Sequence, residues 1–307
     1  MIKKNGVITL LGMGFALLFY GGVSAAPRAL VDQAGRTVMV PSSPRRVISL
    51  APNITEIIYD LGCEDRLKGA AAHSDYPSAA LALPQVGAYV RLDLEKIVSL
   101  QPDLCIAVKD GNPKETVMRL ESLGIPVYAV NPRSLDTIMS SVLAIGDLLN
   151  ASKRAGQLVD TMRARIDQVT KVVKTASARP KVFFQIGISP IVSVGSDTFI
   201  HELIEKAGGV NLAGNRTAYP RYSLEEIIAA APDIIIVTTM EQENAFDAVK
   251  ARWRQWPSIP AVAADRIFIV DSDIFDRPTP RLIDALEKLA RMIHPELPWD
   301  TFQKALN

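Results

Sequence analysis

The chain has 307 residues, with 34 basic against 33 acidic side chains and a formal net charge of +1. That balance, with no basic tract, excludes nucleic acid as the natural partner. Two cysteines, Cys63 and Cys105, are too few for disulfides to be the main source of stability.

The N-terminus opens with Lys3 and Lys4, runs uncharged from Val7 to Tyr20, and reaches small residues at Val23-Ser24-Ala25. This is the layout of a cleaved secretory signal. The apolar run has 14 residues, short of the roughly 20 that a spanning helix needs, so a permanent N-terminal anchor is the weaker reading. No Cys stands near the cleavage site to carry a lipid. Residues 1–25 are therefore read as a signal peptide and the mature product as a soluble periplasmic protein. Its roughly 280 residues suit two lobes better than one core.

From residue 46 the pattern alternates. Arg46 to Leu50 reads as a short buried strand, and Asn53, three residues before Glu56, has the spacing of a capping box at a helix start. Ile54, Ile57, Ile58 and Leu61 then share one helical face up to Gly62. Leu67 to Ala72 is extended. Asp93 caps a helix with the apolar stripe Leu94, Ile97, Val98, and Asp103 to Val108 is a strand. A helix from Lys114 to Leu123 and a strand from Pro126 to Val130 follow. Strands alternating with helices imply parallel α/β architecture. Two long helices come next, breaking near Asn150. The second, Ser152 to Thr175, lines up Ala155, Leu158, Val159, Met162, Ile166 and Val169, and reads as a stiff strut or as an ordinary surface helix. A second α/β run starts at Lys181. The expected layout is an N-terminal lobe over 26–150, a connecting helix over 151–178 and a C-terminal lobe over 179–307.

An internal repeat ties the lobes together. Asp93 to Val108 (DLEKIVSLQPDLCIAV) aligns without gaps on Ser223 to Thr238 (SLEEIIAAAPDIIIVT), with identities at Leu94/Leu224, Glu95/Glu225, Ile97/Ile227, Pro102/Pro232, Asp103/Asp233 and Ile106/Ile236. Glu95 and Glu225 take the same place in the first turn of each helix. The helix dipole alone favours a carboxylate there. Two lobes related by a pseudo-two-fold would also present one acidic knob each to a partner built of paired subunits.

Specific residues carry a family resemblance. Asp32-Gln33-Ala34-Gly35-Arg36, Pro44 to Pro52 and Asn53-Ile54-Thr55-Glu56 resemble the opening of the iron-siderophore, haem and vitamin B12 class of periplasmic substrate-binding proteins. Within that class the cobalamin-binding branch is the most similar, through Ser74-Asp75-Tyr76-Pro77, Asp93 to Val98, Gly111-Asn112, Ser223 to Glu226, Ser272 to Arg277 and Thr279-Pro280-Arg281. The resemblance implies two Rossmann-like lobes joined by a long rigid helix, with the ligand in the cleft between them. It also implies delivery of that ligand to the membrane permease dimer of an ABC importer and its ATPase subunits. Glu95 and Glu225 would dock on the permease. His73, Tyr76, Tyr89, Tyr219, Asp273, Phe275 and Arg277 would contact the ligand.

Two departures bear on the ligand. The cobalamin branch lines its cleft with Trp and other aromatics, whereas the matching places here are His73, Tyr89, Val108, Tyr219 and Ile274, and Trp253, Trp256 and Trp299 lie elsewhere. The expected ligand is a corrinoid, with haem or a ferric siderophore as the alternative. No cofactor or resident metal is expected, and the chain is expected to act as a monomer. His73 either ligates the ligand's cobalt or iron or only touches its edge. Asp273 and Arg277 either read the ligand's polar edge or pair with each other. Cys63 and Cys105 either bridge or lie buried as thiols.

Other functional classes find less support. Three dispersed histidines, His73, His201 and His294, fit neither a metalloenzyme spacing nor a zinc or manganese carrier. No nucleophile elbow, phosphate loop or dinucleotide fingerprint follows a strand, so a secreted enzyme lacks positive signals. An adhesive or structural module would leave the paired Glu-bearing units unexplained.

Overall fold

The structure is a computed structural model that describes residues 26–239 and 244–299. The segment read as a signal peptide lies outside the described residues. An antiparallel ribbon, β1 (Arg28–Val31) with β2 (Thr37–Val40), leads into the first lobe. There β3 (Val47–Ser49) is followed by α1 (Pro52–Asp60) and β4 (Leu67–Ala70). A small hairpin, β5 (Gly87–Ala88) and β6 (Arg91–Leu92), precedes α2 (Leu94–Ser99). β7 (Leu104–Val108), α3 (Lys114–Ser122) and β8 (Val127–Val130) complete the lobe. Its sheet runs β4-β3-β7-β8 with every pairing parallel. Buried on both faces, these strands are near-continuous apolar runs rather than alternating, with buried Ser49 and half-buried Lys68 as the polar exceptions.

Two helices follow, α4 (Leu135–Leu148) and α5 (Ser152–Val173), separated at Asn150, whose φ of 53° breaks the helical path. The second lobe holds β9 (Lys181–Gly187), β10 (Val192–Ser193), α6 (Phe199–Lys206), β11 (Val210–Asn211) and α7 (Leu224–Ala230). It continues through β12 (Ile234–Thr239), α8 (Asn244–Arg254), α9 (Pro260–Ala263), β13 (Ile267–Asp271), α10 (Ser272–Phe275) and α11 (Leu282–Ile293). Its sheet runs β10-β9-β12-β13, with β11 also on β9. All of its pairings are parallel except β10 with β9.

The connecting helix is more than a surface strut. Ala155, Val159, Met162, Ile166 and Val169 of α5 are buried, against α4 on one side and α11 on the other. Apolar residues of both sheets, such as Ile106 and Ile236, join these helices in one contiguous core. Separate apolar layers cover the outer face of each sheet, one around Ile97, Cys105 and Leu120, the other around Phe183, Ile227 and Trp253.

Several local expectations change. The helix after β3 is capped by Ala51 with Pro52 in its first turn, and Ala51 offers no side-chain cap. Proline is pre-set for the first helical position, which places Asn53 inside the helix and frees Glu56 for other partners. On α2 only Ile97 is buried, and Val98 is exposed, because the short helix has only one turn against the sheet. Cys63 and Cys105 are free, buried thiols with no bridge between them. Burial pushes the Cys105 thiol up to about 12.

Candidate functional site

In both lobes the loops after the parallel strands converge on one cleft of about 580 Å³, within the common range of ~300–1,000 Å³ for small-molecule sites. This is where open α/β sheets place ligands, beyond the carboxyl ends of their strands. The end of β3 supplies Ala51, Pro52 and Asn53. The segment after β4 supplies His73, and the ends of β7 and β8 supply Val108, Asp110 and Arg133. The second lobe contributes Asp197 to Phe199, Tyr219, and, around α10, Ser272, Asp273 and Asp276 to Pro278.

Tyr89 is carried on the β5–β6 hairpin, between Gly87–Ala88 and Arg91–Leu92. Gly87 has a φ of 92°, and a Cβ there would stand 2.7 Å from the Arg91 carbonyl oxygen, so the turn requires glycine. Asn112 fixes the hairpin to the sheet. Its amide donates to the carbonyls of Leu50 and Tyr89, both at 2.8 Å, and accepts from the Val108 N–H at 2.7 Å. Tyr219 faces the cleft from the other lobe. Burial raises its pKa against the opposing pull of Arg133, with Asp276 and Tyr89 among its charged or ionisable neighbours. The phenol therefore stays a hydrogen-bond donor at neutral pH.

His73, Tyr89, Tyr219, Asp273 and Arg277 all line the cleft, as does Val108. His73 adopts a φ of 65° and is exposed. Three other expectations are corrected. Phe275 is 1% exposed and packs on Phe184 at 6.2 Å between ring centres, because the short helix α10 turns it into the core. Tyr76 is not part of the lining, and the Arg281 guanidinium lies over its ring at 3.6 Å. Ile274 packs against the core instead of the cleft.

The charges lining the cleft are unevenly satisfied. Arg133 pairs with Asp110 at 3.1 Å. Arg277 holds Asp273 at 2.7 Å, Asp75 at 2.7 Å and Glu56 at 3.1 Å. Burial works against the charge on Arg277, but the hydrogen bonds to Asp75 and Glu56 outweigh it, so its pKa lies above the ordinary value. At Asp75 burial pushes upward, but Arg277 wins and the carboxyl titrates below its usual range. Asp273 goes the other way, with burial and the nearby carboxylates prevailing over Arg277. Asp276 and Asp197 make no ion pair among the described residues. Burial pushes Asp276 up to about 7, even though the Thr238 hydroxyl favours its charged form.

Glu56, Asn112, Arg133 and Asp276 were not among the residues expected at the site. Glu56, Asn112 and Asp276 sit inside the very motifs that carry the resemblance, but a motif does not say which way a side chain points. Arg133 had no such signal.

Away from the cleft, Glu95 and Glu225 are both exposed, in the first turns of α2 and α7. Residues 91–97 and 221–227 show the same succession of exposed, half-buried and buried positions. Each helix starts on a side-chain cap: Asp93 accepts from the Lys96 N–H, and Ser223 accepts from the Glu226 N–H. The repeat is therefore structural as well as sequential.

A family model described as periplasmic binding protein matches residues 47–274. An uncharacterised ABC transporter substrate-binding lipoprotein of Bacillus subtilis is 31% identical over 288 residues, which is 91% of this chain and 88% of that protein. Among solved structures, the periplasmic vitamin B12 binding protein of Vibrio cholerae superposes with a TM-score of 0.73 at 31% identity, covering 82% of this chain and 98% of that one. A periplasmic heme-binding protein of Roseiflexus superposes equally well, with a TM-score of 0.73 at 27% identity over 82% and 98% of the two chains.

Proposed function

Since this chain belongs to the periplasmic binding protein family, we propose that it is the solute-binding component of an ABC importer, that it captures a corrinoid of the cobalamin type, and that it delivers this ligand to a membrane permease. It is exported on a cleaved signal peptide, works as a monomer, and binds its ligand without converting it.

One observation carries the choice of ligand. Both arginines lining the cleft are already neutralised by carboxylates, while Asp197 and Asp276 have no cationic partner among the described residues. A ligand fringed with neutral amides can donate hydrogen bonds to such a wall. A haem, with two propionates, would bring like charge to Asp197 and would find both lining arginines, Arg133 and Arg277, already paired. Tyr89 and Tyr219, one from each lobe, offer flat apolar faces to a macrocycle. Haem or a ferric siderophore remains the second reading, favoured by the exposed His73 imidazole in the cleft lining and by the likeness to the heme-binding protein.

The test is titration of the purified, exported protein with cyanocobalamin, cobinamide and hemin, followed by the visible spectrum of the complex. Saturable binding of the corrinoids, tighter than that of hemin, supports the reading. Tight hemin binding with no corrinoid uptake overturns it.

A further inference from the structure

Beneath the cleft floor lies a side-chain cluster that ligand contact does not explain. Glu56 stands on α1 in the N-terminal lobe with its side chain 1% exposed. Two guanidiniums of the C-terminal lobe meet on this one carboxylate. Arg281 forks onto it, with Nε 2.9 Å from Oε2 and Nη2 2.8 Å from Oε1. Arg277 Nη1 reaches Oε1 at 3.1 Å. The N-terminal lobe grips each arginine a second time. Asp75 takes Arg277 at 2.7 Å, and the Tyr76 ring lies under Arg281 at 3.6 Å.

The polarity is one-sided. Within this cluster the first lobe supplies the acids Glu56 and Asp75 and the ring of Tyr76, and the second lobe supplies both bases together with Asp273. The connecting helix uses a different set, Arg165 on Asp284 and Glu287. Moving the lobes apart would strand a buried carboxylate, and a buried charge that loses its partner is costly. A forked guanidinium–carboxylate pair also fixes direction, not only distance. Arg277, the one member of the pair that lines the cleft, is therefore aimed by a residue absent from the cleft lining.

We propose that Glu56 is a positioning residue that clasps the two lobes, setting their mutual angle and holding Arg277 in the cleft, so that ligand release requires the arginines to leave it. The release half of this statement rests on the carrier reading above. The clasp itself does not, and the test separates the two.

Ser99→Cys and Ala229→Cys place spin labels at exposed, repeat-equivalent positions of α2 and the end of α7. The native Cys63 and Cys105 are buried and stay unlabelled. Pulsed electron resonance on the ligand-free full chain reads the distance between lobes. With Glu56 in place a single narrow distribution is expected. With Glu56→Gln the distribution should broaden or split, and Glu56→Asp should restore it in part. A narrow, unshifted distribution in folded Glu56→Gln overturns the clasp. If Glu56→Gln does not fold, Arg281→Lys, which cannot fork, takes its place with the same two outcomes. On the ligand side, Glu56→Gln should release bound cobinamide about tenfold faster, and an unchanged off-rate overturns the positioning of Arg277. If the unsubstituted protein binds no corrinoid, the ligand reading fails while the distance measurement still decides the clasp.

Discussion

Asp276 puts a carboxyl at the cleft wall in surroundings that resist its ionisation. Its folded pKa is raised, so the native state retains a proton that the unfolded chain gives up. The stability linked to that proton is therefore full below the ordinary carboxyl range and is lost as pH rises from about 4 to about 7. Asp276→Asn removes the ionisation. Thermal melts across pH should show the variant gaining on the unsubstituted protein as pH climbs, by up to a few kcal/mol at pH 8. A gap that is the same at pH 5 and pH 8 would sink this account. His73 is tested by spectrum. In the corrinoid or haem complex, His73→Ala should shift the visible bands and weaken binding if the imidazole is an axial ligand. Unchanged bands would leave His73 as an edge contact.

At the scale of elements, the starts of α2 and α7 are matched structures 130 residues apart, each an oxygen cap followed by Leu-Glu. If Glu95 and Glu225 dock on paired permease subunits, reversing either to Lys should cut uptake a few-fold while ligand affinity holds, and the double reversal should cut it further. Full uptake by the double variant at normal protein level would remove the docking role. The caps are separable from docking. Ser223→Ala should cost about 1 kcal/mol of stability, read by denaturant titration, with Glu225 left in place. These elements were legible in the sequence because a cap, a short apolar face, a Pro-Asp turn and an apolar strand leave periodic signals. What was not legible was direction. The spacing of Asn53 and Glu56 imitates a capping box, yet Pro52 takes the first helical position and Glu56 turns toward arginines more than 200 residues away in sequence. Phe275 and Asp276 are adjacent at the end of α10, and this single helical turn sends the first into the core and the second to the cleft. No periodicity in four residues could have separated them.

At the scale of the molecule, the path between lobes is helical, through α5, whose inner face is buried against α4 and α11. A joint of this kind permits small rotations rather than wide closure. Solution scattering of free and ligand-bound protein should give nearly superimposable curves, and a marked compaction on binding would contradict it. A second tie crosses between the lobes, where Glu202 of α6 accepts the backbone N–H of Leu135 at the start of α4 at 2.7 Å. The shared core has a further consequence for folding. Because residues of both sheets and the helices between them form one apolar cluster, neither lobe owns a complete interior, and cutting the chain near Asn150 would expose half of that cluster on each fragment. A two-lobed body built this way should melt as one cooperative unit, giving a single calorimetric peak where its outline suggests two.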